Sequence, residues 1–414
     1  MGKRKLNRNL GFFDVLMFGV GGIIGAGIYA IIGKAAGPSG NMLWLSFVIS
    51  SIIALLTGIS YAEFVSRFPD AGGSYEYIKQ GLGPKVALFM SIFMAFTGIV
   101  AAAAIAISFG DYLGRLITWN SSLMVILIIV LMAFFNTFGS KYSSYYNTFA
   151  TLVTLLGLFF VIAVSVPEWE VAPLVAPNEG GMMGVLGGAA LIFFSYVGFE
   201  DLVKLAEETK DARKNVPRAI LWSALIVLVC YVLIAISAIS VLGAQELSGA
   251  QGPLSSVVES RTGAIGAHIL TIVALFATSK TILSNIMGTS RLVYDVARDS
   301  EVSWLQRFAR LSKKWNAPVL AILAITFLTI LFGLIGNLAI VASISNIFIF
   351  IVFGMVNVAL IKLRLKLKKK EKDRPWFYAP LNIKGVSVIT VLALVSIMVL
   401  FGFNIHNLFF GTGM

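Results

Sequence analysis

Two glycine-rich stretches and one lysine hold the chemistry that the residue types of this sequence offer. Gly19, Gly21, Gly22, Gly25 and Gly27 fall within nine residues of one apolar run. Glycine inside a helix is about 1 kcal/mol less favourable than alanine, so a helix there unwinds easily. Gly21 and Gly25, four apart, would serve close packing of two membrane helices equally well. A second apolar run opens with Gly184, Gly187 and Gly188 and carries Ser195, Tyr196, Val197, Gly198, Phe199 and Glu200 in its middle. Unwound backbone at both places would offer free N–H groups to a carboxylate and bare carbonyls to an ammonium or a cation. One zwitterion satisfies both. The lysine is Lys280, about 16 residues and roughly 24 Å into a run that starts near residue 264. Snorkelling reaches the interface only from near a helix end, so its ammonium is expected to face the protein interior or a watery cavity.

Other chemistries find little support. His268 and His406 are the only histidines and Cys230 the only cysteine, which speaks against a His/Cys metal site and excludes an internal disulfide. The acids sit singly at the ends of apolar runs, without the Ser/His/Asp, Cys/His or paired-carboxylate arrangement of an enzyme. The net charge of +12 lies in the polar breaks rather than on amphipathic or aromatic-interleaved faces, so it argues for membrane topology and against nucleic acid.

The elements that must position these groups are membrane helices. Apolar residues make up 58% of the 414 and charged residues 13%, against about 25% charged in soluble domains. Runs of about 20 apolar residues, enough to cross a bilayer, recur from Phe12 to Phe410. A single membrane domain, 1–414, is expected. The first run begins after Arg8 and is too long for a signal-peptide core, so it should be retained as a span. Spans are expected near 12–34, 41–65, 85–113, 122–138, 143–166, 184–205, 219–243, 264–297, 318–335, 338–362 and 384–404. After Asn404 only Ile405 to Met414 remain, too few for a further one. With a cytoplasmic N-terminus, 28 of the 32 Lys and Arg residues fall inside, Lys34, Arg115 and Arg261 outside and Lys280 within a span, as the positive-inside rule requires. The cluster from Lys362 to Arg374 reads as a solvated stop-transfer run, with contact to anionic lipid as a secondary reading.

The two glycine-rich runs open two sets of five spans, 12–166 and 184–362, with 384–404 added. Interrupted helices at matching positions of two halves point to a site at the membrane midplane. Five helices per half place the second half upside down relative to the first, an inverted repeat.

Four motifs in order then resemble the amino acid-polyamine-organocation superfamily of transporters. Gly21-Gly22-Ile23-Ile24-Gly25-Ala26-Gly27-Ile28-Tyr29 looks like its broken first helix. Tyr61-Ala62-Glu63 followed by Phe68-Pro69-Asp70-Ala71-Gly72-Gly73-Ser74-Tyr75 is similar to its first cytoplasmic loop. Phe193-Phe194-Ser195-Tyr196-Val197-Gly198-Phe199-Glu200 looks like its broken sixth helix, with Ala206-Glu207-Glu208-Thr209 and Pro217-Arg218-Ala219-Ile220 in the loop beyond. Ser290-Arg291-Leu292-Val293-Tyr294 and Ala297-Arg298-Asp299 match its exit from the eighth span.

The resemblance implies an all-α, leucine-transporter-type five-plus-five inverted repeat that carries amino acids across the cytoplasmic membrane by alternating access. It further implies a substrate carboxylate on the amides of Gly25, Ala26 and Gly27 beside Ile24. The amino group would meet carbonyls near Phe194, Ser195 and Val197, with Phe194 as an aromatic gate. Many proton-coupled members carry a lysine in the fifth span, in the place of a sodium ion, seven residues after an asparagine and three after a threonine. Here Asn147 and Thr151 are present but that position is Thr154. Lys280 from the eighth span is expected to supply the missing amine and to titrate, with H+ as coupling ion and no cofactor. Sodium held by carbonyls near Gly22 and Ile23 with hydroxyls of Thr278 or Ser279 is the second reading, and exchange without a coupling ion the third. Glu200 and Asp201 are expected to pair with Lys204 or a loop base, or to be solvated, and Asp111 to be interfacial. Ile23, Ile24, Ala102, Ala103, Phe194 and Ile286 favour a small or hydrophobic neutral amino acid over a polyamine. A sensor that binds amino acid without moving it is the rival from another class; a passive channel and an enzyme rank below it.

Overall fold

The computed structural model describes residues 8–69, 73–138, 140–170, 174, 180–300, 303–312, 315, 317–367, 375–383 and 385–410. Asp70 to Gly72 of the loop motif, the N-terminal bases before Arg8, Lys313, Lys314, Lys384 and the bases from Lys368 to Arg374 lie outside the described residues. The described chain is almost entirely helical. In order run α1 (Phe12–Ile23), α2 (Ala26–Ser39), α3 (Leu43–Arg67), α4 (Ser74–Leu82), α5 (Pro84–Leu113), α6 (Ser121–Thr137) and α7 (Ser140–Ser165). There follow α8 (Gly181–Ile192), 3-10 turns at Phe193–Tyr196 and Phe199–Glu208, α9 (Ala212–Gly249), α10 (Pro253–Asp299), α11 (Val319–Gly333), α12 (Leu338–Leu367) and α13 (Val388–Phe410). Eight stretches among the described residues are long and apolar enough to cross a membrane, and three shorter apolar helices, Phe12–Ile23, Ser121–Thr137 and Val319–Gly333, accompany them. The protein is an all-α membrane protein.

Several boundaries differ from the sequence expectation, each for a local reason. The seventh and eighth spans were expected to end near 243 and to start near 264. Instead helix continues from the far side of Gly243 (φ 70°) to Gly249, and α10 begins at Pro253 and bends at Gly263 (φ 72°). Polar residues at both places read as loop, yet a single glycine at positive φ turns the chain and helix resumes. α4 was not expected, since Ser74–Leu82 carries too little apolar surface to register as a span. It is held by Tyr77, which stacks on Phe64 at 4.7 Å. A two-residue antiparallel ladder, Asn382–Ile383 with Val386–Ser387, precedes α13 where the last span was expected to begin. That span instead covers Val388–Phe410.

The core lies where α5 packs on both α10 and α12, α3 on α9, and α10 on α7. Buried polar side chains tie these elements to one another, since a bare backbone group away from water costs several kcal/mol. Ser46 and Ser50 of α3 donate to the carbonyls of Val185 (2.8 Å) and Ala189 (2.5 Å) on α8, and Asn346 of α12 donates to Ala190 at 2.8 Å. Three bonds from two helices therefore anchor α8 just before its end at Ile192.

Candidate functional site

Helix α1 stops at Ile23 because Ile24 (ψ 82°) and Gly25 (φ −120°, ψ −147°) leave the helical region, and α2 restarts at Ala26. The sixth run breaks too. Val197 is extended (ψ 135°) and Gly198 stands at φ 130°, a conformation that excludes most side chains. The two breaks touch. A Cβ added to Gly27 would lie 2.7 Å from the Cα of Ser195, and one on Gly198 would lie 2.8 Å from the carbonyl oxygen of Gly22. Side chains would separate the breaks, so glycine at these two positions is what brings backbone to backbone. Tyr231 of α9 closes the joint, its hydroxyl 3.0 Å from the carbonyl oxygen of Ile23 and 3.2 Å from that of Ser195.

The first four amides of a helix lack intrahelical acceptors, so the start of α2 is rich in donors. Of the three amides expected to meet a carboxylate, Gly25 N donates to Ile23 O at 2.8 Å and Ala26 N to Thr281 Oγ1 at 3.1 Å. Thr281 thus holds an oxygen where a carboxylate oxygen was expected. Opposite, Ser195 is 1% exposed and its Oγ lacks a hydrogen-bond partner among the described residues. Phe194 is buried beside it. Ile23, Ile24, Ala102, Ala103 and Ile286 are all buried in the core.

Lys280 is 2% exposed. Its Nζ donates to Gly21 O at 3.1 Å, Ile24 O at 3.2 Å and Thr151 Oγ1 at 2.9 Å. An ammonium has three N–H donors, and here three oxygens from two elements receive them. Thr151 in turn donates its hydroxyl hydrogen bond to Asn147 O at 2.8 Å. The neutral amine keeps only two N–H groups and gains a lone pair, so deprotonation would strip one contact and leave a carbonyl or hydroxyl facing a lone pair. In its charged form Lys280 thus holds the first break against α7.

Other expected groups make bonds of their own. Thr154 lies one turn along: its hydroxyl donates to Ala150 O (2.6 Å) and its carbonyl accepts from the Tyr29 hydroxyl (2.9 Å). Thr278 Oγ1 bonds back to Ala274 O at 2.7 Å, and Ser279 Oγ to Leu275 O at 2.6 Å with Tyr146 Oη beside it at 2.6 Å. The carbonyls at the ammonium are those of Gly21 and Ile24, next to the Gly22 and Ile23 carbonyls that the sodium reading uses. Lys204 pairs with Asp201, both about half exposed, whereas Glu200 Oε2 accepts from Gly198 N at 2.8 Å and so braces the second break. Sequence reading gave no role to Thr281 or Tyr231 and treated Thr151 only as a spacing marker. A hydroxyl next to Lys280, and the one tyrosine of the seventh run, are the signals that could have found the first two.

A model of the amino acid permease family matches residues 10–414. The chain belongs to that family, within the amino acid-polyamine-organocation superfamily. It is 27% identical to the branched-chain amino acid permease of Bacillus subtilis over 95% of this chain and 87% of that one. It is also 31% identical to an uncharacterized protein of Methanocaldococcus jannaschii (84% and 81% covered) and 28% identical to the chloroplastic cationic amino acid transporter 7 of Arabidopsis thaliana (86% and 65% covered). It is a transporter rather than an enzyme, and its family and similar transporters place its business in amino acid transport.

Proposed function

We propose that this permease moves small or hydrophobic neutral amino acids across the cytoplasmic membrane by alternating access about the two touching breaks, with proton exchange at Lys280 as the coupling. The observation that carries the reading is the Lys280 ammonium resting on the carbonyls of Gly21 and Ile24 and on Thr151. A cation that spans the first break and α7 ties its own release to movement between them. The substrate carboxylate would displace Thr281 from the amides that open α2, and the ammonium would take the carbonyls near Phe194, Ser195 and Val197 together with the free Ser195 hydroxyl.

The breaks at residues 24–25 and 197–198 each interrupt the first member of a set of five, which supports the inverted repeat and a midplane site. The distribution of bases supports a cytoplasmic N-terminus. The apolar residues near the breaks favour a neutral side chain, in line with the branched-chain name of the Bacillus relative; the plant relatives carry the name of cationic amino acid transporters.

The test is uptake of a panel of labelled amino acids into proteoliposomes, with proton and sodium gradients imposed separately. Proton-driven accumulation of a neutral amino acid is the expected result. Sodium-driven accumulation would overturn the coupling, and saturable binding without any uptake would replace the carrier by a sensor.

A further inference from the structure

A cavity of about 310 Å³ opens beyond the outer half of α2, lined by Tyr29 and Lys34 of α2, Asp111 and Tyr112 of α5, and residues of the α9–α10 and α11–α12 turns such as Gln251 and Asn337. Its size is at the small end of ligand pockets and suits a molecule of amino-acid dimensions. Tyr29 and Tyr112 are buried and Lys34 is exposed, so the tyrosines mark the deep end and the lysine the mouth. The deep end is close to the first break, because Tyr29 follows Ala26 by three residues, about 4.5 Å along a helix. Tyr112 donates to Tyr29 O at 3.1 Å and their rings meet edge to face at 6.4 Å.

The charges of this cavity are what single it out. Arg115, just beyond the same end of α5, is already paired with Glu259 and donates to Gln251 O at 2.7 Å. Lys34 and Asp111 make no ion pair among the described residues, although they face the same space and each lies within the field of the other. Backbone repeats the pattern: α9 brings its carbonyl end to the cavity at Gly249 and α12 its amide end at Leu338, and helix ends carry partial charges of opposite sign. A space with one unpaired positive and one unpaired negative side chain matches a ligand with both charges. A simple amine would meet Lys34, and a simple carboxylate would meet Asp111.

We infer that this cavity is an entry subsite for zwitterions, in which Lys34 receives the α-carboxylate and Asp111 the α-ammonium before the substrate passes Tyr29 and Tyr112. The inference rests on the transport reading above and sharpens it, since it selects amino acids over polyamines ahead of the helix breaks.

The experiment is concentration-dependent uptake of L-leucine into proteoliposomes by wild type, Lys34→Gln, Asp111→Asn and the exchanged pair Lys34→Asp with Asp111→Lys. Loss of one partly exposed charge contact is expected to raise KM roughly fivefold, with the maximal rate little changed because the breaks are intact. The exchanged pair should recover most of the KM. Isoamylamine, leucine without its carboxylate, should inhibit Lys34→Gln more strongly than wild type. Unchanged KM in both single variants, or an exchanged pair worse than either, would overturn the subsite while leaving transport standing. Absence of saturable uptake by wild type would overturn the transport reading and the subsite with it.

Discussion

Lys280, Tyr231 and Gly27 act on the same few backbone atoms. Lys280→Met keeps the unbranched side chain, one atom shorter, and removes three donors at once, leaving the carbonyls of Gly21 and Ile24 without the ammonium. The variant is expected to lose proton-driven accumulation while still exchanging substrate down its gradient, measured as uptake with and without a pH difference. Tyr231→Phe removes a single hydroxyl that lies between the carbonyls of Ile23 and Ser195. Leaving buried acceptors unsatisfied costs about 1–3 kcal/mol, so substrate affinity should fall about five- to a hundredfold, read by isothermal titration. Gly27→Ala would place a methyl 2.7 Å from Ser195 Cα, and overpacking of about 1–3 kcal/mol should lower the melting temperature in detergent as well as weaken binding. At this scale the sequence was informative about backbone and less so about side chains. Runs of glycine announce where a helix fails, whereas Thr281 and Tyr231 owe their roles to contacts with residues 255 and 208 positions away, which spacing along one chain does not reveal.

Among the elements, the clasp between α3 and α12 joins two helices that both pack on the Phe193–Tyr196 turn before the second break. Glu63 is fully buried; its carboxylate receives Arg364, Arg67 at 2.9 Å and the amide of Ala379 at 2.9 Å. Arg364 lies 3.9 Å over the ring of Tyr378, so the segment before α13 is pinned to the same cluster. Breaking a buried pair on one side leaves an uncompensated charge and costs about 3–5 kcal/mol. Glu63→Gln should therefore lower the detergent melting temperature strongly, and adding Arg364→Met should restore part of the loss in a double-mutant cycle. Tyr61-Ala62-Glu63 was legible as a family motif, but the partner three hundred residues later was not. Span existence was legible because hydropathy is a local property; span ends were not, since Gly243 and Gly263 redirect helices that polar composition alone would terminate.

For the whole molecule, uptake through the Lys34 cavity requires the Lys34 end of α2 to face outward and the loop after the second break to face the cytoplasm. In a Cys230→Ala background, Gln251→Cys should react with an impermeant maleimide from outside intact cells and Lys210→Cys only after permeabilisation; the reverse pattern would invert the topology. The positive-inside distribution is what predicts this orientation from the amino-acid sequence, while the cavity at Lys34 and Asp111 needed helices from both halves of the chain to be seen together. The central claim is that substrate movement and Lys280 titration are one event. The most direct measurement is the luminal pH of proteoliposomes loaded with a trapped pH-sensitive dye while a transported amino acid is added outside. Substrate-dependent luminal acidification by wild type, absent in Lys280→Met despite retained substrate exchange, is the predicted result. Acidification that persists undiminished in Lys280→Met, or wild-type uptake with no proton movement, would contradict it.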